Sequence, residues 1–564
     1  MSAPRPMPTS TLHCHEVAGL QRLAWLAIAE PDRRGGRAGG AGGAGGGGRR
    51  VDVYHGTAVE RRDDWIVEGT WDGEFRSGDF HQSNHFFGTG IRVEAGAVHF
   101  VPSSALVNRL IYCEYRDHLV VSNSLALMLG FTGAALDPAH DYRAETYAIR
   151  QGPAAYQRAF RVLHPEIVTF YQLYDESLVV AGSEIRFESR RTAPALASFE
   201  QYRALVEDAL LKLRANYTSA ERRVPMRAFA TISSGYDSTA AAVLIKDLGI
   251  ELCFTSRRSN SHIPPWLSPR TGLDDGKPVA DLLGLRTKYL ERRRSRITDN
   301  ELYFLAPGCA PTSTVLHSLA HHLEQRDGAA VVYTGFQGDE VWDTNHWERV
   351  YQDSGVLRGD TAALMLSEIR LKCGMVNIAV PSLFARSIRD LAIIATSAEM
   401  ARWRVPGDYD RPIPRRILES AGVPGNLYGG RKKAVVERPT YPMQRELRRQ
   451  FFAYLQATQQ CSALFVYLHG VLNSVAWPFV RSWHLMRKKL FKIEPPNTPW
   501  AYLWPRVDFP RALFIWAASV LAARLATQLE AAGVKLPGSI RRNSPTLPPP
   551  ATVAGASLAQ GWRR

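Results

Sequence analysis

Apolar and polar positions along the chain fall into two regimes. From 51 to about 190, short apolar runs recur between turn signals: DWIVEG, GAVHFV, RLIYCEY, HLVVSN, EIVTFYQLY and SLVVAG. That spacing predicts a mostly antiparallel β region with an occasional helix. Upstream, LQRLAWLAIAE at 20–30 reads as a short buried strand. The stretch GGRAGGAGGAGGGG at 35–48 has almost nothing to bury, and strand-like VDVYHG follows it directly. It reads as a flexible insertion in a hairpin rather than a linker between domains.

Near 194–199 the pattern changes. FEQYRALVEDALLKLRANY at 199–217 has the apolar spacing of a helix. Strand and helix patterns then alternate: MRAFATI (226–232), STAAAVLIKDLG (238–249), IELCFTS (250–256), KPVADLLGL (277–285), RTKYLE (286–291), TVLHSLAHHLEQR (314–326) and AAVVYTG (329–335). This alternation predicts an α/β fold with a doubly wound parallel sheet. In such a sheet, ligands sit at the carboxyl ends of the strands. Two glycine-containing turns, at 233–238 and 334–340, fall at such ends. Beyond about 360 the chain reads as helical and strongly basic, with an aromatic and basic stretch at 450–505 and a closing helix at 509–530. The expected division is a β-rich domain at 1–195, the α/β domain at 196–440, a helical extension with its closing helix at 441–530, and a tail at 531–564. The tail contains SPTLPPPATVAG and reads as disordered.

With 564 residues the chain is too long for one hydrophobic core, and 45% hydrophobic with 22% charged residues is ordinary globular composition. Cysteines 14, 113, 253, 309, 373 and 461 form no CxxC pair and no zinc-ligand spacing, so they read as reduced thiols. The start, MSAPRPMPTSTLHCHEV, shows no signal-peptide pattern. No uninterrupted apolar stretch reaches membrane-spanning length; 463–480 comes nearest but contains His469, Asn473 and Pro478. The expected location is cytoplasmic. The net charge of +15 suggests an anionic partner, and residues 401–450 alone hold 12 Arg or Lys against 5 Asp or Glu. A solvated basic face without a partner accounts for the charge equally well.

The first turn is Ser233-Ser234-Gly235-Tyr236-Asp237-Ser238, between a strand and a helix start. Small residues let backbone N–H groups face an anion, and the helix N-terminus adds positive partial charge. Asp237 would repel a phosphate unless a cation lies between, which suggests Mg²⁺. A plain turn with Ser or Asp as helix cap is the competing reading. The second turn, Thr334-Gly335-Phe336-Gln337-Gly338-Asp339-Glu340, repeats the pattern at the end of another strand. Asp237 and Asp339 could then share Mg²⁺ on one ATP.

SSGYDS resembles the SGGxDS loop of the PP-loop ATP pyrophosphatases, and TGFQGDE is similar to the SGxGxDE motif of the asparagine synthetase family. A β-rich domain preceding the α/β domain fits that family's order. LIYCEYRDHLVVSNSLALML (110–129) and AFRVLHPEIVTFY (159–171) resemble late parts of its N-terminal domain. The resemblance covers roughly 20–440 and the helix near 509–530. It implies an enzyme that activates a carboxylate as its acyl-adenylate with ATP and Mg²⁺, releases pyrophosphate, and passes the acyl group to an amine. By the same resemblance Ser233, Ser234, Gly235, Ser238, Gly335 and Gly338 would hold ATP, and Asp237 and Asp339 the metal. Lys433, with Lys432 beside it in LYGGRKKAVVE, resembles the family's essential lysine.

Three departures stand out. The N-terminal Cys of the glutamine-dependent members is missing: the chain starts Met1-Ser2-Ala3, and Cys14 is internal. A degenerate glutaminase-like domain is therefore expected, as in β-lactam synthetases and lasso-peptide cyclases, which use an amine already on a substrate. Phe336 stands where the family has Glu or Tyr and cannot accept a proton, so a base must come from elsewhere. Glu368, in LSEIRLKCG, is one candidate, against the reading of a surface helix carboxylate. Ser234 replaces the first loop glycine.

The expected substrates are small-molecule or peptide carboxylates and amines, with free ammonia left open. An RNA-modifying PP-loop enzyme and a catalytically silent scaffold are the alternatives. Nucleic acid is disfavoured, since no RNA-binding motif is recognisable. Homo-oligomerisation and a peripheral membrane contact through 450–505 stay open.

Overall fold

The computed structural model describes residues 10–30, 49–106, 108–182, 184–190, 194–258, 273–291, 297–343, 363–406, 409–429, 437, 439–458, 461–462, 464 and 507–536. Residues 1–448 with 508–536 form one compact unit, and 449–507 with 537–564 a second. Few residues of the second are described, and most of the aromatic and basic stretch at 450–505 lies outside them.

Within the first unit the N-terminal part is two sheets. One runs from edge to edge through Thr11–Glu16, Arg50–His55, Trp25–Ala29, His118–Ser122, Leu110–Tyr115, Thr169–Leu173 and Ala159–Arg161. The other runs through Glu184–Glu188, Ser177–Ala181, Ala97–Val101, Phe87–Glu94, Trp65–Thr70 and Glu60–Arg61. Neighbours are antiparallel except for Thr11–Glu16 on Arg50–His55, which pair in parallel. Period-two patterning builds the core. In Arg50–His55, Val51, Val53 and His55 are buried, while the residues between them are less so. Trp25, Val51, Val53 and Val121 of one sheet thus share a core with Ile66, Ile91, Phe100 and Val180 of the other. Ala29 pairs antiparallel with Val51, so strands on either side of the glycine-rich stretch do form hairpin arms.

The later part holds an all-parallel sheet in the order Thr287–Tyr289, Leu252–Thr255, Met226–Thr231, Ala329–Thr334, Met375–Ala379. The chain builds outward from Met226–Thr231 in one direction and then returns to its other side. Strand order therefore reverses between Met226–Thr231 and Ala329–Thr334. Connections that diverge at such a point leave a crevice at the carboxyl ends of the two strands. Met375–Ala379 corrects the expectation that everything beyond 360 is helical. All five of its residues are buried, so it shows no alternation, and it is too short to stand out.

The closing helix Phe509–Ala531 packs in this first unit, apart from the 449–507 segment with which the sequence reading joined it. By length and composition it could cross a membrane, although Arg511 and Arg524 interrupt its apolar run, and 67% of its most apolar window is buried inside the protein. Its partner is Leu125–Thr132, every residue of which is buried. Gly130 permits the contact, because a Cβ there would stand 2.6 Å from the Ala522 carbonyl oxygen.

The β-rich part and the parallel sheet are joined by polar contacts, one partly buried and one fully buried. Arg22 reaches the carbonyls of Glu324 (2.7 Å) and Arg326 (2.6 Å), at the C-terminal end of helix His317–Glu324. It satisfies acceptors that the helix leaves open and places positive charge at its negative end. Glu68, on Trp65–Thr70, meets Arg370, on helix Ser367–Cys373, through two parallel 2.8 Å bonds with both side chains enclosed. All six cysteines are free, as their spacing predicts.

Candidate functional site

The two turns singled out in the sequence leave the two strands that flank the reversal. The first passes from Met226–Thr231 into helix Tyr236–Ile245. Gly235 is extended (φ −81°, ψ 158°) and stands just before the helix. Hydroxyls shape the loop. Ser238 Oγ accepts from the Ser233 N–H at 3.0 Å and lies 2.7 Å from Ser233 Oγ, which accepts from the Gly235 N–H at 3.1 Å. Asp274 Oδ1 lies 3.3 Å from both the amide nitrogen and Oγ of Ser234, which donate to it. The Ser234 carbonyl accepts from the Gly429 N–H at 2.9 Å.

The second turn leaves Ala329–Thr334 and bends at Gln337, which adopts the left-handed conformation (φ 67°) despite carrying a side chain. Such a conformation is strained for a non-glycine residue and persists where neighbours hold it. Here the buried Gln337 amide donates to the Ala105 carbonyl at 2.8 Å, tying the turn to the β-rich part.

Gly335 and Gly338 have a role that the sequence reading did not assign. A Cβ on Gly335 would stand 2.5 Å from the Ser238 amide nitrogen. One on Gly338 would stand 2.4 Å from Asp237 Cβ. Both glycines let the second turn sit directly against the first, so the residues at 233–238 and 335–338 form one surface. Gly276 closes the same loop from a third side, where a Cβ would meet the Ser233 nitrogen at 2.9 Å.

Arg411 was missed in the sequence and is the centre of the arrangement. Its side chain is 0% exposed. Nη1 lies 2.8 Å from Asp237 Oδ1 and 2.6 Å from the Gly338 carbonyl, and Nη2 lies 2.9 Å from Asp343 Oδ2. Burial opposes its charge, but Asp237, Asp343, Tyr409 and Asp339 outweigh burial and raise its pKa above the ordinary arginine value. Burial, with Asp237 adding to it, likewise pushes the Tyr409 hydroxyl up. One turn further on, Arg415 donates to Tyr236 Oη at 2.6 Å. Part of the basic excess at 401–450 is therefore spent inside the protein. The only sequence signal for Arg411 was its place before Pro412, which opens helix Pro412–Ser420.

The other candidates fall as follows. Asp339 and Phe336 lie on the second turn, each partly exposed. Lys432 and Lys433 lie outside the described residues. Glu368 is not a surface carboxylate. It is buried at the start of Leu125–Thr132, accepting from Ser124 Oγ at 2.8 Å and Gln21 Nε2 at 3.2 Å. Burial pushes its carboxyl up, opposed by hydrogen bonds from Ser124, Gln21 and the Ala126 N–H and by Arg109. A carboxyl with a raised folded pKa binds its proton more tightly folded than unfolded. That contribution to stability is full below the ordinary carboxylate range and fades as pH climbs through the raised value. Gln21 Oε1 is buried without a hydrogen-bond partner. Glu368→Gln should accordingly be at least as stable as the natural protein at neutral pH and lose this pH dependence, read by denaturant unfolding across pH. Lower stability at neutral pH would contradict the assignment.

The residues present fit a nucleotide with a divalent cation. Hydroxyls and a helix N-terminus suit phosphate oxygens. Arg411 pairs with Asp237 and Asp343, and Asp339 is near enough to act on its charge. Among the described residues no three or more His, Cys, Asp or Glu side chains gather as a metal site. Mg²⁺ is commonly held by one or two carboxylates and completed by phosphate oxygens. No protein-family model matches this chain, and no curated protein matches it either.

Proposed function

We propose that this chain is an ATP- and Mg²⁺-dependent ligase that activates a substrate carboxylate as its acyl-adenylate and forms an amide with an amine, without a glutaminase of its own. On this reading the parallel sheet is a doubly wound PP-loop synthetase domain, and the two N-terminal sheets are a degenerate glutaminase-like domain. The observation that carries the reading is the interlock of two acidic glycine turns at the ends of the two strands flanking the reversal, with Gly338 against Asp237.

The chemistry asks for little covalent participation by the protein. A substrate carboxylate oxygen attacks the α-phosphorus, the bond between the α- and β-phosphates breaks, and pyrophosphate leaves. The amine nitrogen then attacks the acyl carbon, AMP departs, and the nitrogen loses a proton. Ser233, Ser238 and the start of helix Tyr236–Ile245 would hold the departing pyrophosphate by hydrogen bonds. Asp237 and Asp339 would hold Mg²⁺, which supplies charge neutralisation on the phosphates. Lys433 or Lys432 would supply the cation at the α-phosphate. Phe336 offers no proton acceptor beside the second turn, so the attacking amine must arrive neutral or lose its proton to another group.

The test is exchange of labelled pyrophosphate into ATP with a panel of carboxylic acids. The expected result is exchange that depends on one acid and is lost in Asp237→Asn. Absence of exchange with every acid, with no ATP binding that depends on Asp237, would overturn the reading.

A further inference from the structure

Metal and phosphate sites usually meet an acidic turn with a diffusible cation. Here a fixed one already stands in the turn. We propose that Arg411 is a built-in countercharge for Asp237 that takes over part of the divalent-cation requirement of nucleotide binding at the two turns. The proposal rests on the nucleotide reading above.

The geometry is that of a fixed charge rather than a surface side chain. One nitrogen, Nη1, binds the first turn through Asp237 and the second through the Gly338 carbonyl. The other faces Asp343, three residues after the second turn. The guanidinium lies 5.2 Å from the centre of the Tyr409 ring. The backbone is held as well. Pro412 starts the helix, and Arg415 anchors it to Tyr236, the residue next to Asp237. Tyr236 is itself packed between Tyr409 and Tyr428, at ring distances of 5.1 and 5.6 Å. Gly429 presses on its far side, where a Cβ would meet Tyr236 Cζ at 2.6 Å.

The consequence is electrostatic. A polyphosphate approaching residues 233–238 meets the Asp237 carboxylate, and repulsion between the two must be offset. A guanidinium keeps its proton throughout the working pH range and is more weakly hydrated than an ammonium, so it can stay charged at this depth. It therefore supplies one positive charge that a metal ion need not bring. Without it, Asp237 and Asp343 lose the guanidinium they share, and more of the countercharge at the turn falls to cations from solution.

The measurement is equilibrium binding of ATP to the full chain while Mg²⁺ is titrated from chelator excess to saturation. Arg411→Met should raise the Mg²⁺ concentration for half-maximal binding by roughly tenfold, a size common for coupling between two bound ligands. Arg411→Lys, which keeps the charge, should stay close to the natural protein. An unchanged or lower Mg²⁺ requirement in Arg411→Met would overturn the proposal and leave the nucleotide reading intact. Failure of the natural protein to bind ATP at any Mg²⁺ concentration would instead overturn the nucleotide reading. Asp343→Asn carries the test if Arg411→Met does not fold. It keeps the arginine and removes one carboxylate, so it should lower the Mg²⁺ requirement, and an unchanged or higher requirement would count against the countercharge.

Discussion

Gly335→Ala should cripple the site while leaving most of the fold standing. The added Cβ would lie 2.5 Å from the Ser238 nitrogen and 2.7 Å from the Asp237 carbonyl carbon, both backbone atoms that cannot rotate away. The turns must separate, and overpacking of this kind costs about 1–3 kcal/mol of stability. On the proposed reading, a comparable loss at the two turns corresponds to roughly tenfold to a hundredfold weaker nucleotide binding. Gly338→Ala should behave alike, since its Cβ meets Asp237 itself. Gly425→Ala is the control, as a Cβ there meets nothing within 4 Å. Thermal melts and ATP titrations on the three variants check this. Normal nucleotide affinity in Gly335→Ala would mean that the close approach of the turns does not matter for the site.

Arg370→Met should destabilise the first compact unit by about 3–5 kcal/mol, because it leaves Glu68 charged, buried and without its partner. The carboxylate also accepts from Thr89 Oγ1 at 2.6 Å and Asn123 Nδ2 at 3.3 Å, bonds too weak to neutralise it alone. The double variant Glu68→Gln with Arg370→Met removes the charge on both sides and should recover much of the loss. Denaturant unfolding reads both. A single variant as stable as the natural protein would show that the pair does not hold the β-rich part against the parallel sheet. The site would feel such a loosening, since Gln337 of the second turn is tied to Ala105 in the β-rich part.

How much of this could be read in advance depends on how local the cause is. Helix Phe199–Tyr217 was legible to the residue, because its apolar spacing is regular and Ser198 caps it. The strands Met226–Thr231 and Ala329–Thr334 were legible as apolar runs cut off by small residues, and the turns followed from them. Thr11–Glu16 was not read as a strand. It is a sheet edge with its residues largely exposed, so it shows little hydrophobic pattern. Met375–Ala379 failed for the opposite reason, burial on every residue. Arg411 acts on Asp237 across 174 positions of sequence, and one arginine among a dozen basic residues of that stretch carries no mark of which will be buried. Glu368 reads in the sequence either as a candidate base or as a surface carboxylate, because helix Ser367–Cys373 is too short to show which face is covered. The glycines of the second turn were read as ligand contacts; their closeness to Ser238 and Asp237 is a matter of packing, visible only once both turns are placed.

On the proposed reading, the turns at 233–238 and 335–339 make one nucleotide site at the reversal of the sheet. A structure of the protein with Mg²⁺ and an ATP analogue whose α–β bridge cannot be cleaved tests it most directly. The β- and γ-phosphates should lie within hydrogen-bonding distance of Ser233, Ser238 and the first turn of helix Tyr236–Ile245, with the metal between them and the carboxylates of Asp237 and Asp339. A nucleotide bound away from the ends of strands Met226–Thr231 and Ala329–Thr334, or none bound at saturating concentration, would contradict it.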